Sequence, residues 1–395
     1  MSEGQKQADL AAVAPDITFK VIPTSKRVTP SGRERILADP GFGKVFTEHM
    51  AQLSWDRVHG WHDAQLRPYA PIQLDPATSV LHYAQAVFEG LKAFRQPDGG
   101  VAVFRPDAHA ARFRRSARRL ALPELPEQTF IDAIDLLIQQ DGDWVPSAPE
   151  HSLYLRPLMY ASEVGLGVYP ADEVEFVLIA SPSGSYFPRG VKPVTVWLSE
   201  EFSRAAPGGT GEAKTGGNYA GSLLAQAQAA AHGCDQVVWL DAVEHTWVEE
   251  MGGMNLFFVF GAGSRAKLLT PALTGTLLPG ITRDSLVTVG ADLGFEVEEG
   301  RISVTDWQAG CADRSLTEVF ACGTAAVITP VGAVKSARGS WEVADGGPGQ
   351  ITMRLRQALV DIQRGSAPDR HGWLHRVAPV SRVARSPQKL SRHVH

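Results

Sequence analysis

Between Gly208 and Leu223 the chain reads GGTGEAKTGGNYAGSL, six glycines around a single lysine in sixteen residues. No long helix or strand is expected to run through it, because each interior glycine costs ~1 kcal/mol relative to alanine. The chain is expected to present Lys214 from an irregular loop. From Gly208 the stretch nearly matches the phosphate-cradling pattern of Gly, four residues, then Gly-Lys-Ser/Thr, with Ala213 in place of the second glycine. That pattern needs a buried strand before the first glycine and a helix starting at the lysine. Here SRAAPGG precedes it and Thr215-Gly216-Gly217-Asn218 follows, so the helix is expected only from Tyr219 to His232. A degenerate nucleotide-binding loop is the weaker reading, and a lysine with covalent chemistry the stronger one.

The rest of the chain alternates short apolar strands with amphipathic helices. VAVFRPD runs into HAARFRRSARRLAL, where Phe113, Ala117 and Leu120 fall at i, i+4 and i+7 on one face. Thr129 to Gln140 reads as a second helix, and SLYLRPLMY and EFVLIASP as strands. The Gly/Pro/Ser-rich SGSYFPRGVKP then marks a connection, beyond which lie the strands QVVWLD, HTWVEEM and MNLFFVF. The expected organisation is a smaller N-terminal α/β domain over 1–187, a linker over 188–200 and a larger domain over 201–369. Residues 370–395 contain no Asp or Glu and are expected to be a disordered basic tail.

A net charge of −5 gives no bulk attraction to nucleic acid or membrane, and no apolar run approaches the ~18 residues of a span. Arg112, Arg114, Arg115, Arg118 and Arg119 form a basic stripe, which by itself is only an electrostatic footprint. Cys234, Cys311 and Cys322 have neither metal-ligand spacing nor an even count. A cytoplasmic protein without a metal is expected.

A lysine amine can form a Schiff base with pyridoxal phosphate. Such a site also needs an anion pocket, a carboxylate at the pyridine nitrogen, a phenol near the ring oxygen and exclusion of water. WVEEMGGMN offers Glu249 and Glu250 at a strand end. LLPGITRDSL leads into a helix expected to start near Thr282, whose free N–H groups suit a phosphate. CGTAAV adds Thr324, and Tyr219 follows the lysine by five residues. Lys92, in EGLKAF, is the rival lysine, with no acid or phosphate-type turn expected nearby.

The runs HYAQAVFEGLKAFR, FRPDAHAARFRRSARRL, SLYLRPLMY, LGVYP, SGSYFPRG, KTGGNYAGSLLAQ, QVVWLD, EEMGGMN, LLPGITR and FACGTAAV resemble, in this order, the branched-chain amino acid aminotransferases. These are fold-type IV pyridoxal-phosphate enzymes, and the likeness is to their longer actinobacterial and mitochondrial form. The resemblance implies an α/β (α+β) two-domain fold with the cofactor at the domain interface. It also implies a homodimer that exchanges the amino group of leucine, isoleucine or valine with 2-oxoglutarate, forming the 2-oxo acids and glutamate by a ping-pong mechanism. By the same likeness Lys214 carries the cofactor, Glu250 faces the pyridine nitrogen and Tyr219 the ring oxygen. Arg112 would bind the phosphate bidentately, with Ile281, Thr282 and Thr324 as phosphate turns and Arg204 as a further cofactor-side arginine. Phe88, Tyr154, Tyr186 and Ala325 would line the substrate pocket, and Arg156 would meet the distal carboxylate of glutamate. Tyr83 and Val168 would come from the neighbouring subunit. Two departures stand out. Ala326 and Thr329 occupy the positions of a Cys-x-x-Cys pair found in some members, and Gly253 replaces a hydroxyl residue of some relatives. D-amino acid aminotransferases and aminodeoxychorismate lyases share the lysine and the phosphate turns, and differ around Tyr83, Tyr154 and Arg156.

Overall fold

The computed structural model describes residues 17–187 and 190–379. Two nine-stranded sheets organise them. In the first, the strands run in the order Lys20–Val21, Gly60–Pro68, His49–Asp56, Glu173–Ser183, Ser152–Ala161, Leu91–Arg95, Val101–Phe104 and Leu374–Arg376, with Ala86–Phe88 added beside Ser152–Ala161. Helices Pro106–Arg119 and Glu127–Asp141 pack against this sheet. Pro106 suits the first turn because its φ is already helical and its missing N–H would have no partner there. The expected apolar face follows, with Phe113 and Ala117 fully buried. Phe113 lies 5.5 Å from Phe130 and 5.8 Å from Phe176, between ring centres.

In the second sheet the strands Val248–Met251, Gln236–Leu240, Val194–Ser199, Val327–Ser336, Leu316–Gly323 and Met254–Phe260 each pair with the next. The last also pairs with the first, so the six close into a ring. Apart from Asn255, MNLFFVF is apolar because both its faces are covered. Leu256 and Phe258 join one cluster with Trp307, whereas Phe257 and Val259 join another with Phe320, Leu286 and Leu355. That alternation is the two-residue period of a strand. The second cluster also takes in Phe94 and Phe104 of the first sheet, so shared apolar burial joins the two units.

Three expectations need correction. The helix expected over Tyr219–His232 begins instead as a short helix, Gly216–Ala220, breaks, and resumes at Leu223–Ala231. Asn218 Nδ2 donates to the carbonyls of Thr210 and Ala213 at 2.8 and 2.9 Å, which holds the first turn despite its glycines. Ser222 Oγ donates to the Tyr219 carbonyl at 2.7 Å, the local side-chain competition that interrupts helices. Within the expected linker, Val194–Ser199 is a strand paired in parallel on both sides. In the expected disordered tail, Leu374–Arg376 pairs antiparallel with Val101–Phe104. Trp373 stands edge-on to Phe104 at 5.7 Å, with the Arg105 guanidinium 5.1 Å over its ring. The tail beyond 379 lies outside the described residues. Among the described residues no helix is long and apolar enough to cross a membrane.

Trp373→Ala removes an aromatic pair and a cation–π contact, and is expected to lower stability by about 1–3 kcal/mol. Urea unfolding followed by fluorescence measures it, and an unchanged midpoint would mean that this segment does not anchor the first sheet.

Candidate active site

The Lys214 loop is tied to the first unit through its main chain. The Lys214 N–H donates to Ser116 Oγ at 3.0 Å, and its carbonyl accepts from the Phe88 N–H at 3.0 Å. The Thr215 hydroxyl donates to the Ala86 carbonyl at 2.8 Å, and Arg119 Nη2 to the carbonyls of Gly208 and Gly209 at 2.9 and 3.1 Å. A β-carbon at Gly211 would overlap the Thr276 carbonyl, so this close approach requires glycine. Lys214 Nζ donates to Tyr219 Oη at 3.0 Å and lies 4.9 Å from the centre of the Phe88 ring.

A cavity of about 250 Å³ adjoins the amine, lined among others by Lys214, Arg112, Tyr154, Asn255, Thr282 and Ala325. Glu250 is buried behind it, on a hairpin whose Gly252-Gly253 turn sets Glu250 opposite Asn255. Glu250 Oε1 accepts from the Leu278 N–H at 2.6 Å and from Asn255 Nδ2 at 3.3 Å. Its Oε2 lies 2.9 Å from Arg204 Nε, an ion pair in which the N–H is not aimed at the oxygen. Burial pushes the Glu250 carboxyl up, against the pull of Arg204. A buried carboxylate with an incompletely satisfied oxygen calls for a further cationic N–H. Glu249 turns elsewhere and accepts from Thr276 Oγ1 at 2.5 Å.

Helix Ile281–Asp292 starts at the cavity, and no side chain caps it. Its first-turn N–H groups and its dipole suit an anion. Arg112 reaches the same region but not as expected. Its Nε and Nη2 both donate to Glu89 at 2.7 Å, and Nη1 donates to the Pro279 carbonyl at 3.1 Å. The bidentate fork is therefore made to a buried carboxylate, which leaves the Nη1 edge for an external anion. His109 Nδ1 lies 2.8 Å from Glu89 as well. Burial alone would raise the Glu89 carboxyl, but Arg112 and His109 hold it well below the usual carboxylate range. The remaining basic stripe faces outward or towards loops, with Arg114 and Arg118 bonded to Glu124.

On the other wall, Tyr154 Oη sits where a β-carbon on Gly90 would be, so a side chain there would displace the phenol. Arg156 Nη2 donates to Tyr154 Oη at 3.2 Å, and its guanidinium lies 5.0 Å over the Phe88 ring. Phe88 in turn packs on Tyr219 at 5.1 Å. Tyr186, Ile281, Thr324 and Ala325 all reach the cavity, whereas Arg204 stands behind Glu250. Tyr83 and Val168 lie on the surface away from this chain's cavity, with Tyr83 Oη donating to the Leu166 carbonyl and Val168 81% exposed.

Sequence reasoning missed Glu89, Ser116 and Asn255. Only Asn255 left a signal, since a two-residue Gly-Gly hairpin after EEM would have placed it opposite Glu250. Lys92 also needs correction. Its buried Nζ donates to the Ala325 carbonyl at 2.7 Å, and the charge of Glu150 acts on it, so both an acid and a phosphate-type turn are near.

An amine, a buried carboxylate behind it and an uncapped helix start fit pyridoxal phosphate, whose pyridine nitrogen and phosphate need those two partners. Fold and site define a pyridoxal-phosphate aminotransferase. The family model of the class IV amino-transferases matches residues 86–334, and the chain belongs to that family. Within it, the relatives are branched-chain-amino-acid aminotransferases. The chain is 61% identical over 362 residues to the probable enzyme of that name from Streptomyces coelicolor, covering 91% of this chain and 99% of the relative. It is 59% identical to the enzyme of Mycolicibacterium smegmatis, covering 91% and 98%. The solved branched-chain amino acid aminotransferase of Escherichia coli is 30% identical, with a TM-score of 0.68 over 83% of this chain and 100% of that one. These matches outweigh the D-amino acid, lyase and nucleotide-binding alternatives.

Glu89→Gln removes the charge partner of Arg112. It is expected to weaken cofactor binding at least about tenfold, by the 1.5–3 kcal/mol of a charged hydrogen bond, as read by titrating apoprotein with pyridoxal phosphate. Because the Glu89 pKa is depressed in the fold, its stabilisation is present above its ordinary value of 4.5 and is lost as pH falls through the folded value. The variant is therefore expected to show a flatter loss of stability in acid.

Proposed function

We propose that the protein reversibly transfers the amino group of leucine, isoleucine or valine to 2-oxoglutarate, with pyridoxal phosphate carried on Lys214. The observation that carries this reading is the Lys214 amine bonded to Tyr219 Oη at a cavity with Glu250 behind it. When bound, the cofactor supplies an electron sink for the charge left on the substrate α-carbon.

The chain's own groups do the rest. Lys214 Nζ takes the proton from the substrate α-carbon and returns one in the reverse half-reaction. Its hydrogen bond to Tyr219 Oη and the Phe88 ring beneath it limit where the amine swings. Glu250, fixed by Asn255, the Leu278 N–H and Arg204, holds a proton at the pyridine nitrogen. The Nη1 edge of Arg112, the N–H groups of Ile281 and Thr282, and Thr324 bind the phosphate. Tyr154, Tyr186 and Ala325 wall a pocket that accepts an aliphatic chain, with Phe88 packed against Lys214 and Tyr219 beside it. Arg156 meets the distal carboxylate of glutamate, and its buried Nε, which has no partner among the described residues, supports that donor role. One site then serves two acids in turn, which gives ping-pong kinetics.

The active form is a homodimer in this reading. Leu81, Val164, Leu166, Val168 and Tyr169 form exposed apolar surface on two segments bridged by Thr78 and Val164. A patch of this kind on a globular chain marks a protein interface, and Tyr83 and Val168 would complete the pocket of the second copy. The free thiols of Cys234, Cys311 and Cys322 suit a reducing cytoplasm. The first sheet and the ring-forming sheet are taken as the two domains, with Val194–Ser199 inside the second.

Lys214→Ala is expected to give colourless protein with amino transfer reduced by at least about 10²–10⁴-fold. Single-turnover spectra of the wild type should change with L-leucine and not with D-alanine. A response to D-alanine alone overturns the substrate assignment, and a strictly monomeric active species in light scattering overturns the dimer.

A further inference from the structure

The first sheet carries a side-chain cluster that the amino-transfer site does not use. Strands His49–Asp56 and Gly60–Pro68 form a hairpin whose tip reads DRVHGWHD, Asp56 to Asp63. Asp56 stands opposite Gly60 and His62 opposite Ser54, so Asp56 and His62 are diagonal neighbours on one face. His59, in the turn between the strands, reaches back to the same carboxylate. Donor atoms of Asp56, His59 and His62 all lie within 4.8 Å of one another.

Each donor is presented in a form that a cation can use. Asp56 Oδ1 accepts from the N–H groups of Val58 and His59, both at 2.7 Å, which fixes the carboxylate and leaves Oδ2 to the imidazoles. His59 Nδ1 lies 2.8 Å from Oδ2. His62 Nε2 lies 2.9 Å from Oδ2 as well, but no N–H is aimed along that contact. The other ring nitrogen of His62, Nδ1, meets Asp63 Oδ2 at 3.0 Å. A metal-ligating histidine gives its second ring N–H to a carboxylate in this way, which fixes the tautomer and frees the opposite lone pair for the ion. Donors held at zinc distances in a tetrahedral site are ~3.3 Å apart, so the two rings need only a small outward shift. His59 and His62 have side chains 68% and 32% exposed, which leaves room for that shift and for water as a further ligand. Two imidazoles and one carboxylate suit a transition cation, whereas Mg²⁺ and Ca²⁺ take mainly oxygen. A second group of this composition, Glu48, His49 and Asp141, is closed to an ion. There His49 Nδ1 is bonded to Asp141 at 2.7 Å and Nε2 accepts from the Thr24 N–H at 2.9 Å.

We propose that Asp56, His59 and His62 form a binding site for a divalent transition cation of the zinc class, which clips both strands and the turn of this hairpin together. Calorimetric titration of the holoenzyme with Zn²⁺ tests it. The double variant His59→Ala/His62→Ala is expected to lose at least about 100-fold in affinity at this site, since outer carboxylates alone are worth about 10–100-fold. Asp63→Asn, which keeps all three ligands, should lose about tenfold. Zn²⁺ should slow amide hydrogen exchange across residues 56–62 in the wild type and not in the double variant, a local readout that histidines elsewhere do not move. Excess Mg²⁺ should leave both results unchanged. Without Zn²⁺, amino transfer by the double variant should stay within about twofold of the wild type, because neither histidine reaches the cavity. Equal Zn²⁺ affinity in the wild type and the double variant overturns the proposal. So does Zn²⁺ binding that leaves exchange at residues 56–62 unchanged, or displacement of Zn²⁺ by Mg²⁺. If the double variant does not fold, Asp56→Asn gives the same comparison, since it keeps the Oδ1 acceptor of the turn and removes the charge.

Discussion

The site depends on two main-chain hydrogen bonds of Lys214, from its own N–H to Ser116 and to its carbonyl from Phe88. They tie a glycine-rich loop of the second unit to a helix and a strand of the first. Glycine gives the loop its shape but no rigidity, so the rigidity has to come from these partners. The amine is then presented where the two sheets meet, and only there do the Glu250 hairpin, the start of Ile281–Asp292 and the Arg112 helix converge. Helices and strands position the other groups, and the loop carries the amine.

Two buried carboxylates near the cavity are handled in opposite ways. Glu89 is fully paired by Arg112 and His109 and is held as an anion whose task is orientation. Glu250 has partners but is left electrostatically short, so burial raises its pKa. A carboxylate in the second state gains from an added cationic N–H, and one in the first state does not. The contrast separates the two buried acids, although neither motif distinguishes them.

Much of this was legible in the sequence. The period of HAARFRRSARRLAL gave the helix, the apolar runs QVVWLD and MNLFFVF gave buried strands, and the order of lysine, acid pair and helix start gave the chemistry. What stayed hidden was long-range pairing. Nothing local ties Glu89 to Arg112, and a lysine in EGLKAF reads as part of a strand until the Thr324–Ala325 turn is folded against it. The strand Val194–Ser199 reads as the end of a connection because its boundary is set by neighbours far along the chain. Leu374–Arg376 is only three residues long in a basic context, so tertiary pairing rather than pattern decides it.

That last strand has a consequence for how the chain is made. The first sheet is closed on one side by residues synthesised after the whole of the second unit. During vectorial synthesis the first unit therefore waits with the edge of Val101–Phe104 bare, an unpaired template of the kind that invites wrong partners. The chain of the second unit is synthesised in the interval. The two halves are thus bound into one folding event, in which the earliest sheet is the last to be finished.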